Sequence, residues 1–349
     1  MLSFVNDYCE CAHEAILNRL QEIRLQKNPG YGTDDYCSAA KEKIRAACAC
    51  PEADVQFLVG GTQTNMIVID TMLKSYEGVI ACETGHVSVH EAGAIEGSGH
   101  KVLPLPMDPA PENTGKLRAE DVDRCVSRFY ADGNYEHMVF PGMVYISHPT
   151  EYGTLYTKQE LTALHEVCSR YGIPLYVDGA RLAYALACAE TGESDVTLPD
   201  LAALADVFYI GGTKCGALMG EAVVFTKNNT PDRFLTRIKQ RGALLAKGWL
   251  LGLQFDTLFT DGLYVKLGKN AIDTARRLRE GLRSKGYEFL LTSPTNQIMV
   301  VVENEKMAEL AKQVNFSFWD NIDETHTAIR FCTSWGTDMA DVERLTEIL

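Results

Sequence analysis

Positive charge is in short supply in this chain. Its 33 lysines and arginines face 47 aspartates and glutamates, for a formal net charge of −14 and a pI near 5.1. Such a field repels polyanions, so neither nucleic acid nor an anionic membrane is expected as a partner, and any phosphate site must be built locally. Long apolar runs are also missing. None reaches the roughly 18 residues that a membrane span needs, and Asp7 and Glu10 interrupt the N-terminal stretch before a signal-like segment could form. The expectation is a soluble, cytoplasmic protein. Internal repeats, low-complexity tracts and Pro/Ser linkers are absent, which excludes solenoids and loosely tethered modules.

A disulfide framework is missing as well. The eleven cysteines are scattered through helical and strand-like segments, and read as reduced core thiols. The pairs Cys9/Cys11 and Cys48/Cys50 have the wrong spacing for a zinc knuckle, so no metal site is expected.

What is present is ordinary globular material: 349 residues, 46% hydrophobic and 23% charged. Short β-rich runs at 55–59, 78–81, 101–105, 143–147, 174–177, 207–210 and 221–225 alternate with helical patterns. Alternation of this kind argues an α/β fold with a mostly parallel sheet. Between runs, Leu161, Leu164, His165 and Cys168 recur at helical spacing, as a helix covering a sheet requires. After about Asp261 the pattern changes to a long charged helix through Lys285, strands near 298–302 and 328–331, and a helix from Asp338. We therefore expect a large domain over residues 1–261, with an N-terminal helical segment, and a small C-terminal α+β domain over 262–349.

Three segments could carry chemistry. The apolar run ending at Ile210 continues into Gly211-Gly212-Thr213-Lys214-Cys215-Gly216. Glycines on both sides let a planar ligand approach, and a desolvated lysine there becomes nucleophilic toward carbonyls. The run Ile173 to Val177 ends in Asp178-Gly179-Ala180-Arg181, at the sheet edge where open α/β folds bind ligands. A carboxylate there could keep a pyridinium protonated, or simply cap the next helix. Gly60-Gly61-Thr62-Gln63-Thr64-Asn65 precedes a helix expected at 66–73, and offers backbone N–H groups and the Thr62 hydroxyl to a phosphate. Neither a P-loop nor a dinucleotide fingerprint fits the glycine spacing. His86 follows Glu83-Thr84-Gly85, where an imidazole could stack on a flat ring, whereas His90, His100, His137 and His326 read as structural. Arg330 sits in an apolar strand, where a buried cation demands an anion such as a substrate carboxylate.

In order, these segments, with His86 before Glu91-Ala92-Gly93, resemble the threonine aldolase branch of the fold-type-I pyridoxal-phosphate enzymes, the β-eliminating lyase group. The resemblance spans nearly the whole chain. It implies that Lys214 carries the cofactor as a Schiff base, Asp178 pairs with the pyridine nitrogen, His86 stacks on the ring, Gly61 and Thr62 hold the phosphate, and Thr213 is a further cofactor-binding residue. Arg181 and Arg330 match residues that hold the substrate carboxylate and nearby cofactor groups. Asn6 falls where the family has a serine, so Asn6-Asp7-Tyr8 departs from its Ser-Asp-Thr opening, while Tyr31-Gly32-Thr33-Asp34-Asp35 resembles its Tyr-Gly-Asp segment. His148 matches a histidine near the substrate hydroxyl and is the expected base. Lys247, or else Arg241, resembles the basic residue that reaches a neighbouring subunit's phosphate, implying a homodimer or homotetramer with the active site at the interface. The implied reaction is retro-aldol cleavage of L-threonine or L-allo-threonine. β-Elimination, transamination and hydroxymethyl transfer stay open within the same chemistry. A non-catalytic protein that binds a small anion is the reading from another class.

Overall fold

The computed structural model describes residues 1–349. Seven strands form the main sheet: β1 (Asp54–Leu58), β2 (Glu77–Cys82), β3 (Val102–Leu105), β4 (Phe140–Ser147), β5 (Leu175–Asp178), β6 (Val207–Gly211) and β7 (Glu221–Phe225). Their spatial order is β1-β7-β6-β5-β4-β2-β3. Only β7 runs against its neighbours, β1 and β6; the remaining pairs are parallel. Every residue of β5, β6 and β7 is buried, as expected of strands covered on both faces.

Strand parity divides the core in two. Ile80, Val144, Ile146, Val177 and Phe208 point into one apolar layer, while Val79, Met143, Tyr145, Tyr176 and Tyr209 point into the other. The first layer is covered by helices Lys158–Tyr171 and Leu182–Glu190, the second by helix Gly61–Met72. Helix Lys158–Tyr171 begins with a reciprocal capping box between Thr157 and Glu160 and stops at Gly172, whose φ of 66° suits glycine.

Beyond residue 262 the helix Leu263–Ser284 straddles two cores. Leu267, Ala271 and Ile272 belong to the main one, and Ala275, Leu278 and Leu282 to a third cluster. That cluster lies against an antiparallel sheet made of β8 (Glu288–Phe289), β9 (Gln297–Glu303), β10 (Ser317–Asn321) and β11 (His326–Cys332), in the order β10-β11-β9-β8. The N-terminus joins it: Leu2–Ser3 pairs in parallel with Val314–Asn315, and Phe4 is buried in the same cluster. The fold is thus α/β with a mostly parallel sheet and a small antiparallel C-terminal sheet.

Two local expectations need correction. The helix after Gly60 begins at Gly61, not at Met66; its threonine-rich first turn carries no apolar periodicity. Strand β10 escaped the sequence reading because it is an edge strand with mostly exposed side chains. No helix is long and apolar enough to cross a membrane.

Candidate active site

The C-terminal ends of the parallel strands converge on one crevice. β7, running the other way, brings its first residue to the same edge, because Glu221 pairs with both Gly211 and Leu58. Two chambers open there. The inner one, about 260 Å³, is lined by Gly61, Thr62, Asp178, Thr213 and Glu221 among others. The outer one, about 680 Å³, reaches the C-terminal sheet at Ser317 and Arg330. His86, Glu151, Arg181 and Lys214 line both.

Lys214 leaves β6 through a loop whose shape is held by its neighbours. Glu221 accepts hydrogen bonds from the Thr213 hydroxyl at 2.9 Å and the Gly212 N–H at 3.1 Å. Tyr184 and Tyr264 donate to the carbonyls of Lys214 and Gly211 at 2.5 and 2.8 Å. Burial, followed by the positive charge of Arg181, lowers the Lys214 pKa, against the pull of Asp7, Asp178 and Glu221. That is the electrostatic setting of a nucleophilic amine. Gly211 and Gly179 let the two strand ends meet: a Cβ on Gly179 would strike the Tyr209 carbonyl.

Asp178 is buried yet ionised. Its carboxylate accepts from the Tyr145 hydroxyl at 2.6 Å, the Asn65 amide at 3.0 Å and the Ala180 N–H at 3.0 Å. Burial alone would raise its pKa, but the His86 charge and these donors hold it below the usual value. His86 in turn bonds Glu91 through Nδ1 at 2.7 Å. Burial opposes protonation there, and the Glu91 hydrogen bond with the Asp178 and Glu91 charges outweighs it, so the imidazole pKa is raised.

At the crevice floor the helix Gly61–Met72 presents its N-terminus. There is no acidic residue in its first turn, and the N–H groups of Gly61 and Thr62 and the Thr62 hydroxyl have no partner in the chain. Arg181, at the start of helix Leu182–Glu190, is gripped by the fully buried Asp7: Nε and Nη2 donate to its two oxygens at 2.6 and 3.1 Å. Arg330 donates to the Gln297 amide oxygen at 2.9 Å and lies over the Trp319 ring at 5.4 Å, but no carboxylate of the chain pairs with it.

Four expected site residues line neither chamber. His148 is fully buried and lines neither chamber. It follows Ser147 on β4, so parity turns it to the opposite face, where Nδ1 accepts from the Tyr156 N–H at 3.3 Å. Burial, and then Lys116, pushes its pKa down to about 4. The expectation of His148 as the base is corrected by that placement. Asn6 bonds its own loop, accepting from the Tyr8 N–H at 3.0 Å, and lines neither chamber. Arg241 is held by Asp70 at 2.7 Å, whereas Lys247 is exposed with no ion pair in its own chain. Sequence reasoning missed Asp7, Asn65, Tyr145, Glu151 and Glu221 as site residues. Asn65 and Asp7 lie inside segments already singled out, and for Asn65 a polar side chain just past the end of β1 was the available signal.

A cradle for a phosphate, a carboxylate kept ionised in the interior and an amine with a lowered pKa together match the demands of a flat, protonated heterocycle with a phosphate tail. On that fit, in this fold, the protein is a pyridoxal-phosphate enzyme of fold type I. The chain belongs to the beta-eliminating lyase family, whose sequence model matches residues 12–314. It is 30% identical over 321 residues to the low specificity L-threonine aldolase of Pseudomonas aeruginosa, covering 91% of this chain and 87% of that one. The solved structure of Leishmania major threonine aldolase superposes with a TM-score of 0.94 at 41% identity, over 100% of this chain and 98% of that one. A Thermus thermophilus aspartate aminotransferase shares the fold, with a TM-score of 0.72 at 15% identity over 99% and 90% of the two chains.

Proposed function

We propose that this protein cleaves L-threonine and L-allo-threonine to glycine and acetaldehyde. The observation that carries this reading is Arg330, a cation without a carboxylate partner in its own chain, lining the same chamber as the Lys214 amine. An amino acid suits two such groups in one chamber: its carboxylate pairs with the guanidinium while its amine end turns toward the lysine. The threonine aldolases among its relatives support the choice of substrate.

In this reading Lys214 holds the cofactor covalently through Nζ, Gly61, Thr62 and Thr213 bind its phosphate, and His86 lies against its ring. Asp178 keeps a proton on the ring nitrogen. Bound pyridoxal phosphate supplies an electron sink for the pair left on the α-carbon when a bond to it breaks. Arg330 and Arg181 fix the substrate carboxylate, and thereby set which bond at the α-carbon stands ready to break. Asp7 keeps Arg181 in place.

We further read the chain as two domains, 1–261 and 262–349, assembled into a homodimer or homotetramer in which Lys247 reaches a neighbouring subunit's phosphate site. Its exposure and lack of an ion pair support that role. Eleven free cysteines suit a reducing, cytoplasmic setting. Light scattering gives the subunit number, and Lys247→Ala is expected to weaken cofactor binding.

The deciding experiment is a visible spectrum before and after borohydride, followed by assays of acetaldehyde and glycine with each threonine diastereomer. A reducible chromophore with equimolar products is expected. Pyruvate and ammonia in place of glycine would move the reaction to β-elimination, and a colourless protein that the cofactor does not reconstitute would leave only anion binding.

A further inference from the structure

With His148 turned away, the cleavage proposed above lacks a proton acceptor. Breaking the Cα–Cβ bond of a β-hydroxy amino acid requires the hydroxyl proton to leave, and the O–H electron pair to become the second bond of the aldehyde. The acceptor has to sit where the lysine-held cofactor and the arginine-held carboxylate meet, which is the junction of the two chambers.

Four residues line that junction: His86, Glu151, Arg181 and Lys214. Arg181 is a permanent cation. His86 spends Nδ1 on Glu91 and has a raised pKa, which makes it a donor. Lys214 holds the cofactor until the substrate amine displaces it, and its freed amine is the competitor that E151Q has to exclude. Among the other carboxylates, Asp178 lines only the inner chamber, where it is held ionised by its donors and reserved for the ring nitrogen. Both oxygens of Glu221 bond the lysine loop. Glu91 lines neither chamber, and Asp320 lines only the outer one.

Glu151 differs from all of these. It follows β4 by four residues and is 9% exposed. Both of its protein hydrogen bonds fall on one oxygen: Oε1 accepts from the Ser147 hydroxyl at 2.6 Å and the His86 N–H at 2.9 Å. Oε2 has no protein partner and is not sealed in the interior.

We propose that Glu151 is the catalytic base of this site, taking the β-hydroxyl proton on Oε2 during cleavage. The Cα–Cβ pair stays with the amino-acid half, whose α-carbon takes up one proton to give glycine, and Glu151 returns its proton to that carbon or to solvent. The Ser147 and His86 bonds aim the carboxylate. Burial raises its pKa, against the Ser147 hydrogen bond and the His86 charge and together with the Asp178 charge, which makes it a stronger acceptor than an ordinary glutamate.

This rests on the aldolase reading, and E151Q tests it cleanly. A glutamine keeps a carbonyl oxygen for both Ser147 and His86 while replacing Oε2 with an amide that cannot accept a proton. The expected result is a holoenzyme with unchanged visible spectrum and unchanged glycine binding, whose kcat for threonine falls about 100-fold or more with KM nearly constant. E151D is expected to recover part of that loss. H148N is the comparison, because His148 lines neither chamber, and it is expected to keep kcat within about threefold. Independently of turnover, infrared spectra of the cofactor-free proteins are expected to show a carboxyl titrating above the ordinary glutamate range in wild type that is lost in E151Q, beside the Glu221 signal common to both. A kcat for E151Q within about threefold of wild type overturns the proposal, as does a 100-fold loss in H148N alone. If wild type itself releases no acetaldehyde, the aldolase reading falls and the proposal with it. A slow E151Q beside an active wild type leaves both standing.

Discussion

Asp7 and Arg181, 174 positions apart, form a buried bidentate ion pair at 2.6 and 3.1 Å that ties the N-terminal segment to the helix after β5. Asn296 adds a hydrogen bond to Asp7 at 2.9 Å, so the extreme N-terminus, the main sheet and the C-terminal part meet at one carboxylate. Burial by itself would raise the Asp7 pKa, but Arg181 and Lys214 with these donors hold it below the ordinary value. The pair therefore stabilises fully above about pH 4, where the unfolded carboxyl is ionised, and loses its contribution as pH falls through the lower folded value. Asp7→Asn leaves a buried guanidinium without its counter-charge, and is expected to cost about 3 kcal/mol or more. Urea unfolding at neutral pH measures it, and a loss under about 1 kcal/mol would show that Arg181 finds another partner.

Tyr145 sets the state of Asp178. Its hydroxyl donates to the carboxylate at 2.6 Å from the neighbouring strand, and is the shortest of the bonds on that group. Tyr145→Phe is expected to destabilise by about 1–2 kcal/mol and to let the Asp178 pKa climb. Cofactor affinity should drop several-fold, most clearly on the acid side, since a neutral carboxyl cannot hold a protonated ring nitrogen. Cofactor titration across pH checks this, and unchanged affinity at every pH would assign the pairing to Asn65 and His86 alone.

The two poles of this site differ in how far a linear reading reaches. Lys214 and Asp178 were legible because each ends an apolar run beside glycines, a local pattern with a local cause. Their supports were not. Asp7, Tyr145 and Asn65 act across the sheet, and no spacing in the chain announces which distant polar side chain will face a given carboxylate. The His148 expectation failed for a related reason. Period-two alternation could have told that His148 and Ser147 lie on opposite faces of β4, but not which face meets the crevice. The crevice face is set by helix Gly61–Met72 and by the loop that carries Glu151, both long-range facts. Strand β10 was invisible because an exposed edge need not alternate.

His148 now carries a stability prediction in place of a catalytic one. Burial and Lys116 hold its pKa near 4, below the ordinary 6.5, so the folded state keeps it neutral while the unfolded chain takes up a proton. Stability from this site is complete above about pH 6.5 and is lost as pH falls toward the folded value, by up to a few kcal/mol. His148→Asn retains an acceptor for the Tyr156 N–H and removes the titration. The variant is expected to keep turnover within about threefold and to flatten the acid-side fall in stability. Unfolding free energies at pH 7.5 and 5 decide it: an equal fall in wild type and variant would place the titrating group elsewhere.

Arg330 offers the sharpest test of the substrate class. It is packed between Gln297, the Val5 carbonyl and Ser317, with its guanidinium over Trp319, so its orientation is settled before any ligand arrives. An arrangement of that kind favours a planar, two-point grip on a carboxylate, which a lysine's point charge reproduces poorly. Arg330→Lys is therefore expected to raise KM for threonine at least 10-fold, and Arg330→Ala about 100-fold, equivalent to the roughly 2–3 kcal/mol of a charged hydrogen bond. Threonine amide supplies the complementary cut from the substrate side. If Arg330 binds the carboxylate, the wild-type enzyme should handle the amide about as poorly as Arg330→Ala handles threonine, and the two losses should not add when combined. Additive losses would mean that the guanidinium and the carboxylate never meet, and Arg181 would be left as the anchor.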